Sequence, residues 1–200
     1  MKTNARFDFT FITADDRPLF QEYVEVRRRA YAEEYPWLTA EFGTEDETDR
    51  HSTIVIALAN GAVAAGARLT ISSPHKDRLL PLEENGFRLK DYPPLRDFHL
   101  DFNPYGEISR MAVDPLLARG FEGSAGVGDL LCGAAARLGL DVVFSICPEK
   151  PARINAMNAK RRGVPFQRYQ ELATVFGVDM WLCAFFGLRR TYNAGQRTAA

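Results

Sequence analysis

The run Glu107-Ile108-Ser109-Arg110-Met111-Ala112-Val113-Asp114-Pro115 sets a carboxylate and a guanidinium three residues apart in an apolar, strand-like stretch. Alternate residues of a strand share a face, so Glu107 and Ser109 point one way and Arg110 the other. A β-bulge would change that count and bring Arg110 round to the same side. Soon after comes Arg119-Gly120-Phe121-Glu122-Gly123-Ser124-Ala125-Gly126-Val127-Gly128, at the start of a helical pattern. Glycines let backbone N–H groups approach a phosphate, and the helix dipole favours the anion. The same small residues also suit close packing of a helix on a sheet. The Gly-Lys-Ser/Thr of a nucleotide P-loop is missing. Taken together, the two stretches suit a site that handles a polar substrate beside a phosphate-bearing one.

Further charged residues fit that chemistry. Asp46, Asp49 and Glu107 with Arg68 and Arg110 could hold an aminoacyl group, the carboxylates facing its ammonium and the guanidinium groups its carboxylate. Arg68 sits in an otherwise apolar strand pattern, Val63 to Ile71, and burial there demands a carboxylate partner. Asp46 and Asp49 are either such partners or part of a solvated acidic loop, Glu45 to Asp49. Arg27 belongs to Arg27-Arg28-Arg29, of which one or two at most can face the core side of a helix. Trp37, in irregular sequence before the acidic cluster, suits either the core or a substrate lid. An attacking α-amino group with a pKa of roughly 7.7–8.0 needs only a modest base, for which Glu107 is the candidate. Backbone N–H groups at a bulge in Arg110 to Val113 could stabilise a developing oxyanion. No Ser-His-Asp or Cys-His set is evident. Cys132, Cys147 and Cys183 form neither a disulfide framework nor a metal pattern and read as buried thiols. His51, His75 and His99 lie far apart, so no metal is expected.

The elements that must position these groups follow from hydrophobic period and punctuation. Alternation predicts a strand over Phe7 to Thr13, and helical spacing through Leu19, Phe20, Tyr23, Val26 and Tyr31 predicts a helix over Arg17 to Glu34. Residues 35 to 50 read as irregular. Thr53 to Ala59 and Ala62 to Ile71 read as a hairpin about Asn60-Gly61. Residues 72 to 104 are rich in proline and charge and read as loop, with a short helix near Pro81 to Asn85. Then come a strand at Gly106 to Val113, a helix at Ser124 to Leu138 closed by Gly139, and a strand at Val142 to Cys147. A helix at Lys150 to Arg162 ending at Gly163, a strand near Trp181 to Phe186 and a polar, frayed tail after Arg189 complete the reading. The order predicts an α/β (α+β) domain, a mixed sheet with helices packed on it.

Composition is consistent with this. Hydrophobic residues are 46% and aromatic residues 12% of the 200, enough for a sizeable core. A formal net charge of −1 gives no global field toward nucleic acid or membrane. With no leader-like start and no long apolar run, a soluble cytoplasmic protein is expected.

These residues carry a resemblance. The stretch from Met111 through Arg119-Gly120 to Leu130-Leu131 looks like the acyl-CoA-binding segment of GNAT acyltransferases. Arg27, Tyr31, Trp37, Asp46, Asp49, Arg68 and the Glu107-x-Ser109-Arg110 element, in this order, resemble the acyl-homoserine-lactone (autoinducer) synthases, which share that fold. Tyr31 stands where a Phe is usual, and Met111 where an aromatic often follows the Ser-Arg pair. The resemblance implies a single GNAT-like domain over 1–188 with a mostly antiparallel central sheet flanked by helices, and a tail over 189–200. It implies Glu107, Arg110, Asp46 and Arg68 as catalytic, and Arg27, Tyr31, Trp37, Asp49, Ser109, Met111, Val113 and Ser145 as substrate-binding. Arg119, Gly120, Gly123, Gly126 and Gly128 would hold the phosphopantetheine arm of the donor. Ser145 would contact the acyl chain near its third carbon, or else bond the backbone while Phe144 or Ile146 packs the core. The implied activity is acylation of S-adenosylmethionine from an acyl thioester on acyl carrier protein or coenzyme A. Lactonisation and release of methylthioadenosine follow, in the service of quorum sensing, with no cofactor. Two alternatives are an N-acyltransferase acting on another amine and a degenerate acyl-binding domain without catalysis.

Overall fold

A computed structural model describes residues 7–34, 43–72, 79–84, 87–114, 116, 122–175 and 178–193. Strand β1 (Phe7–Ile12) leads into helix α1 (Arg17–Glu34), then a 3-10 turn at Glu47–His51 and strands β2 (Thr53–Ala59) and β3 (Ala62–Ser72). Three short 3-10 turns, Pro81–Glu83, Leu89–Asp91 and Pro93–Phe98, precede β4 (Tyr105–Val113). The chain continues through α2 (Glu122–Arg137), β5 (Val142–Cys147), α3 (Glu149–Arg162), β6 (Phe166–Val175), β7 (Val178–Phe186) and α4 (Leu188–Asn193). Strand order is β1-β2-β3-β4-β5-β7-β6. Neighbours pair antiparallel at β1/β2, β2/β3, β5/β7 and β6/β7, and parallel at β4/β5. This is the mixed sheet that the element order predicts, mostly antiparallel as the resemblance implies.

The chain groups into two compact units, residues 1–69 with 109–131 and residues 70–108 with 132–200. In the first, α1 turns Phe20, Tyr23, Val26 and Ala30 onto Ile12, Ile54, Ile56, Val63 and Ala112. These helix positions recur every three or four residues, which is why one face is apolar. The hairpin turns at Asn60 and Gly61 with φ of +53° and +83°, the left-handed pair that a two-residue turn between twisted strands requires.

The second unit corrects two expectations and adds a strand that the sequence pattern does not show. Residues 79–104 are not simply loop, because Leu80, Leu89, Leu95 and Leu100 are all buried against Tyr105, Val142, Phe144 and Leu182. Buried Glu83 organises this segment. Its carboxylate accepts from the backbone N–H of Leu80 (3.2 Å) and Leu89 (3.1 Å) and from the Tyr105 hydroxyl (3.1 Å). Strand β6 carries its apolar residues at 166, 169, 172 and 175, a period of three that reads as neither helix nor strand. Register shifts between Tyr169 and Leu172 and between Leu172 and Val175 explain that period, since each irregularity adds a residue to the count. After Arg189 the chain is helical as far as Asn193, and the rest of the expected tail, 194–200, lies outside the described residues; α4 is tied back by Leu188 N–H to the Asp141 carbonyl (3.2 Å).

Candidate active site

The site is built on β4 and its irregularity. Arg110 lies inside this strand with φ of +56°, a left-handed conformation that a residue with a side chain adopts at a cost of about 1–3 kcal/mol. Strict alternation would send Ser109 and Arg110 to opposite faces, but here both serve one cluster. Ser109 Oγ accepts from Arg68 Nε (3.0 Å), and Arg110 Nη2 donates to Asp46 Oδ2 (3.1 Å). Of the two arrangements open to the sequence, the structure has the one that brings Arg110 round.

Asp46 and Asp49 owe their spacing of three to a turn. Asp46 caps the 3-10 helix Glu47–His51, accepting from Asp49 N–H at 3.1 Å, while Asp49 Oδ2 accepts from Asp46 N–H at 3.0 Å. This reciprocal box fixes both carboxylates. Arg27, on the buried face of α1, donates to Asp49 through Nη1 (3.1 Å) and Nη2 (3.0 Å), to the Gly43 carbonyl through Nε (3.1 Å) and to the Thr44 carbonyl. Arg68 Nη1 reaches Asp46 Oδ1 at 2.5 Å and Asp49 Oδ1 at 2.8 Å. Three guanidinium groups against two carboxylates leave the cluster one net positive charge. Arg27 and Asp49 have no exposed side-chain surface, whereas Asp46 keeps 29% and Arg110 16%. The cluster thus has a dry base and an accessible edge made of Asp46 and Arg110.

Electrostatics follow the packing. Burial pushes the Asp49 carboxyl up, but the Arg27 hydrogen bonds and the charges of Arg27 and Arg68 outweigh it and hold Asp49 below its ordinary value. For Arg68, Asp46 and Asp49 likewise outweigh desolvation and keep the guanidinium charged. The three arginines in a row have three fates: Arg27 enters the cluster, Arg28 pairs with exposed Glu25 (2.7 Å), and Arg29 pairs with buried Asp114 (2.6 Å).

The remaining candidates lie as follows. Tyr31 donates from its hydroxyl to the Met111 carbonyl at 3.3 Å, and burial raises its phenol pKa. Met111 is half-buried. Val113 packs on Ala59 and Ala64. Glu107, in the second unit, is buried, and its Oε2 accepts from Leu82 N–H at 3.0 Å. Ser145 is buried on β5 opposite Cys183, and its Oγ has no hydrogen-bond partner among the described residues. It does not bond the backbone, while Phe144 is core. Trp37, Arg119 and Gly120 lie outside the described residues. Helix α2 begins at Glu122, so Gly123, Gly126 and Gly128 stand in the helix and not in a loop. A Cβ at Gly126 would come within 2.3 Å of Phe9 Cζ, so this glycine serves helix-to-strand packing, whereas a Cβ at Gly128 meets nothing within 4 Å.

All three thiols are free and buried. Cys147 Sγ lies 3.8 Å from Cys183 Sγ, and that partner together with burial pushes the Cys147 thiol well up. Burial alone takes Cys132 to about 12. Among the described residues, no group of three or more His, Cys, Asp or Glu is arranged to hold a metal, and no helix is long and apolar enough to cross a membrane.

The sequence reading missed Tyr23. This fully buried side chain donates to the Arg110 carbonyl at 2.7 Å, and the Arg27 guanidinium lies 5.4 Å from its ring centroid. The signal was its place four residues before Arg27, on the same helix face.

No protein-family model matches the chain, and no curated protein matches it by sequence. Solved structures do match. The AHL synthase LasI is similar with a TM-score of 0.65 at 12% identity, over 95% of this chain and 96% of that one. A CoA-dependent acyl-homoserine lactone synthase, BjaI, solved with SAM and isopentyl-CoA, is similar with a TM-score of 0.62 at 18% identity, over 94% and 87%. FeeM, an N-acyl amino acid synthase from uncultured soil microbes, is similar with a TM-score of 0.57 at 13% identity, over 94% of each chain. At such identities the likeness is one of architecture, and the chain has the GNAT-like acyltransferase fold.

Proposed function

We propose that this chain is an acyl-homoserine-lactone synthase, which acylates S-adenosylmethionine from an acyl thioester and closes the lactone. The observation that carries the reading is the Arg27–Asp49–Arg68 base with its accessible Asp46–Arg110 edge, on a fold like that of LasI and BjaI. Asp46 offers a carboxylate for the substrate ammonium, and Arg110 a guanidinium for its carboxylate. Glu107 takes a proton from the amine, directly or through a water. The neutral nitrogen attacks the thioester carbonyl, and backbone N–H groups after Arg110 receive the developing oxyanion. The carbon–sulfur bond breaks, the nitrogen gives up its second proton to the departing thiolate, and the carrier leaves as its thiol. The substrate carboxylate then attacks its own γ-carbon, forming the lactone and expelling methylthioadenosine. All reactants arrive as substrates, and the donor carrier is acyl carrier protein or coenzyme A.

A second reading, acyl transfer to another amine, is favoured by the likeness to FeeM. The deciding experiment supplies S-adenosylmethionine and acyl thioesters to the purified protein. Release of methylthioadenosine with an acyl-lactone of matching mass supports the first reading. Thiol release that occurs only with other amines supports the second. Neither product from any amine leaves an acyl-binding domain without catalysis.

A further inference from the structure

Two tyrosines of one helix take successive carbonyls of the irregular strand. Tyr23 Oη donates to the Arg110 carbonyl at 2.7 Å and Tyr31 Oη to the Met111 carbonyl at 3.3 Å. Burial keeps both phenols protonated, so both remain donors at neutral pH. Tyr23 is itself fixed. Its ring lies against Gly66 of β3, where a Cβ would stand 2.6 Å from Cδ2, and the Arg27 guanidinium faces the ring. A trans peptide carries its C=O and the next N–H on opposite sides. The N–H of Met111 therefore points away from Tyr23, and that of Ala112 away from Tyr31.

We propose that Tyr23 and Tyr31 are positioning residues. Their hydroxyls hold the two peptide planes after the left-handed Arg110, turning the Arg110 guanidinium to Asp46 and the Met111 and Ala112 N–H groups away from α1. The inference rests on the acyl-transfer reading, because the planes so held are those assigned there to the oxyanion. It goes beyond that reading in assigning a role to Tyr23. It also assigns a role to the hydroxyl of Tyr31, through its bond to the Met111 carbonyl.

The test is Tyr23→Phe, which removes the hydroxyl and keeps the ring on Gly66. Donors aimed at charge that develops only in the transition state act on kcat rather than KM. Tyr23→Phe is expected to cut kcat about tenfold or more with KM for the acyl donor within about twofold, while KM for the amine substrate rises only as far as Arg110 turns away from Asp46. Tyr31→Phe, which loses the longer bond, is expected to fall in the same direction by less, and it carries the test if Tyr23→Phe does not fold. A kcat within twofold of wild type in the folded Tyr23→Phe protein, or in Tyr31→Phe when that variant carries the test, overturns the proposal, as does a loss confined to KM. Backbone chemical shifts of Arg110 provide an arm independent of activity. Loss of its left-handed signature in the tyrosine variants supports the clamp, and an unchanged signature overturns it. If wild-type protein transfers no acyl group to any amine, the functional reading fails and this second arm alone decides.

Discussion

Arg27 and Asp49 face each other in a two-pronged ion pair, 3.0 and 3.1 Å across, with no solvent exposure of either side chain. Arg68 then binds the same carboxylate from β3 at 2.8 Å, so one aspartate anchors helix and sheet within the first unit. A carboxylate so placed cannot be removed without leaving two guanidinium groups short of a counter-charge.

Asp49→Asn is accordingly expected to destabilise the protein by about 3–5 kcal/mol, the cost of breaking a buried pair from one side. Urea unfolding at pH 7 measures it. A change under about 1 kcal/mol would show that the cluster relaxes around the loss.

Acid should reveal the same pair. The folded pKa of Asp49 lies below its ordinary value of about 3.9, so its contribution is complete above that pH. It fades as pH falls through the lower, folded value. The stability gap between wild type and Asp49→Asn should thus hold from pH 7 to about 5 and narrow below about 4. Denaturation series at several pH values test this, and a gap that widens toward acid would contradict it.

Two glycines of α2 should respond differently. Gly128→Ala meets open space and is expected to stabilise by about 0.5–1 kcal/mol through helix propensity. Gly126→Ala gains the same propensity but must swing the outer end of the exposed Phe9 ring aside, so it is expected to stabilise less than Gly128→Ala. Thermal unfolding of the two variants is sufficient, and an equal gain in both would refute the packing role of Gly126.

Glu107→Gln keeps the shape of the side chain and its acceptor for Leu82 N–H but removes the base. Under the proposed function, kcat should fall by roughly 10²–10⁴-fold. A near wild-type kcat across pH 6–9 would exclude Glu107 as the base.

Ser145→Ala removes a buried hydroxyl that bonds nothing in the described structure, so stability should be unchanged or slightly raised. If Ser145 bonds the third carbon's substituent, the ratio of kcat/KM between 3-oxo and unsubstituted donors of one length should drop in the variant. A ratio steady within about twofold, under roughly 0.4 kcal/mol, would free Ser145 of that role.

Much of this protein was legible in its residues taken singly or in short runs. Helix α1 over Arg17–Glu34, the Asn60-Gly61 hairpin and β5 over Val142–Cys147 lie where the pattern puts them. Each is specified by local period or turn chemistry, which operates within a few residues of chain. The need of Arg68 for a carboxylate was also readable, because a charge in an apolar strand has few other outcomes. Tertiary structure decided the rest. Whether Asp46 and Asp49 face water or arginine depends on α1 and β3 arriving beside their turn. Whether Arg110 joins Ser109 depends on the left-handed backbone of Arg110, whose carbonyl accepts from the hydroxyl of Tyr23, 87 positions away in the chain. Gly126 is a packing residue because Phe9 of β1 lies across it. The leucines of 80–100 are core because β4 and β5 offer them a surface. Local sequence states what each residue can do, and long-range packing selects among those options, since the partner that makes one of them favourable is supplied only when distant segments meet.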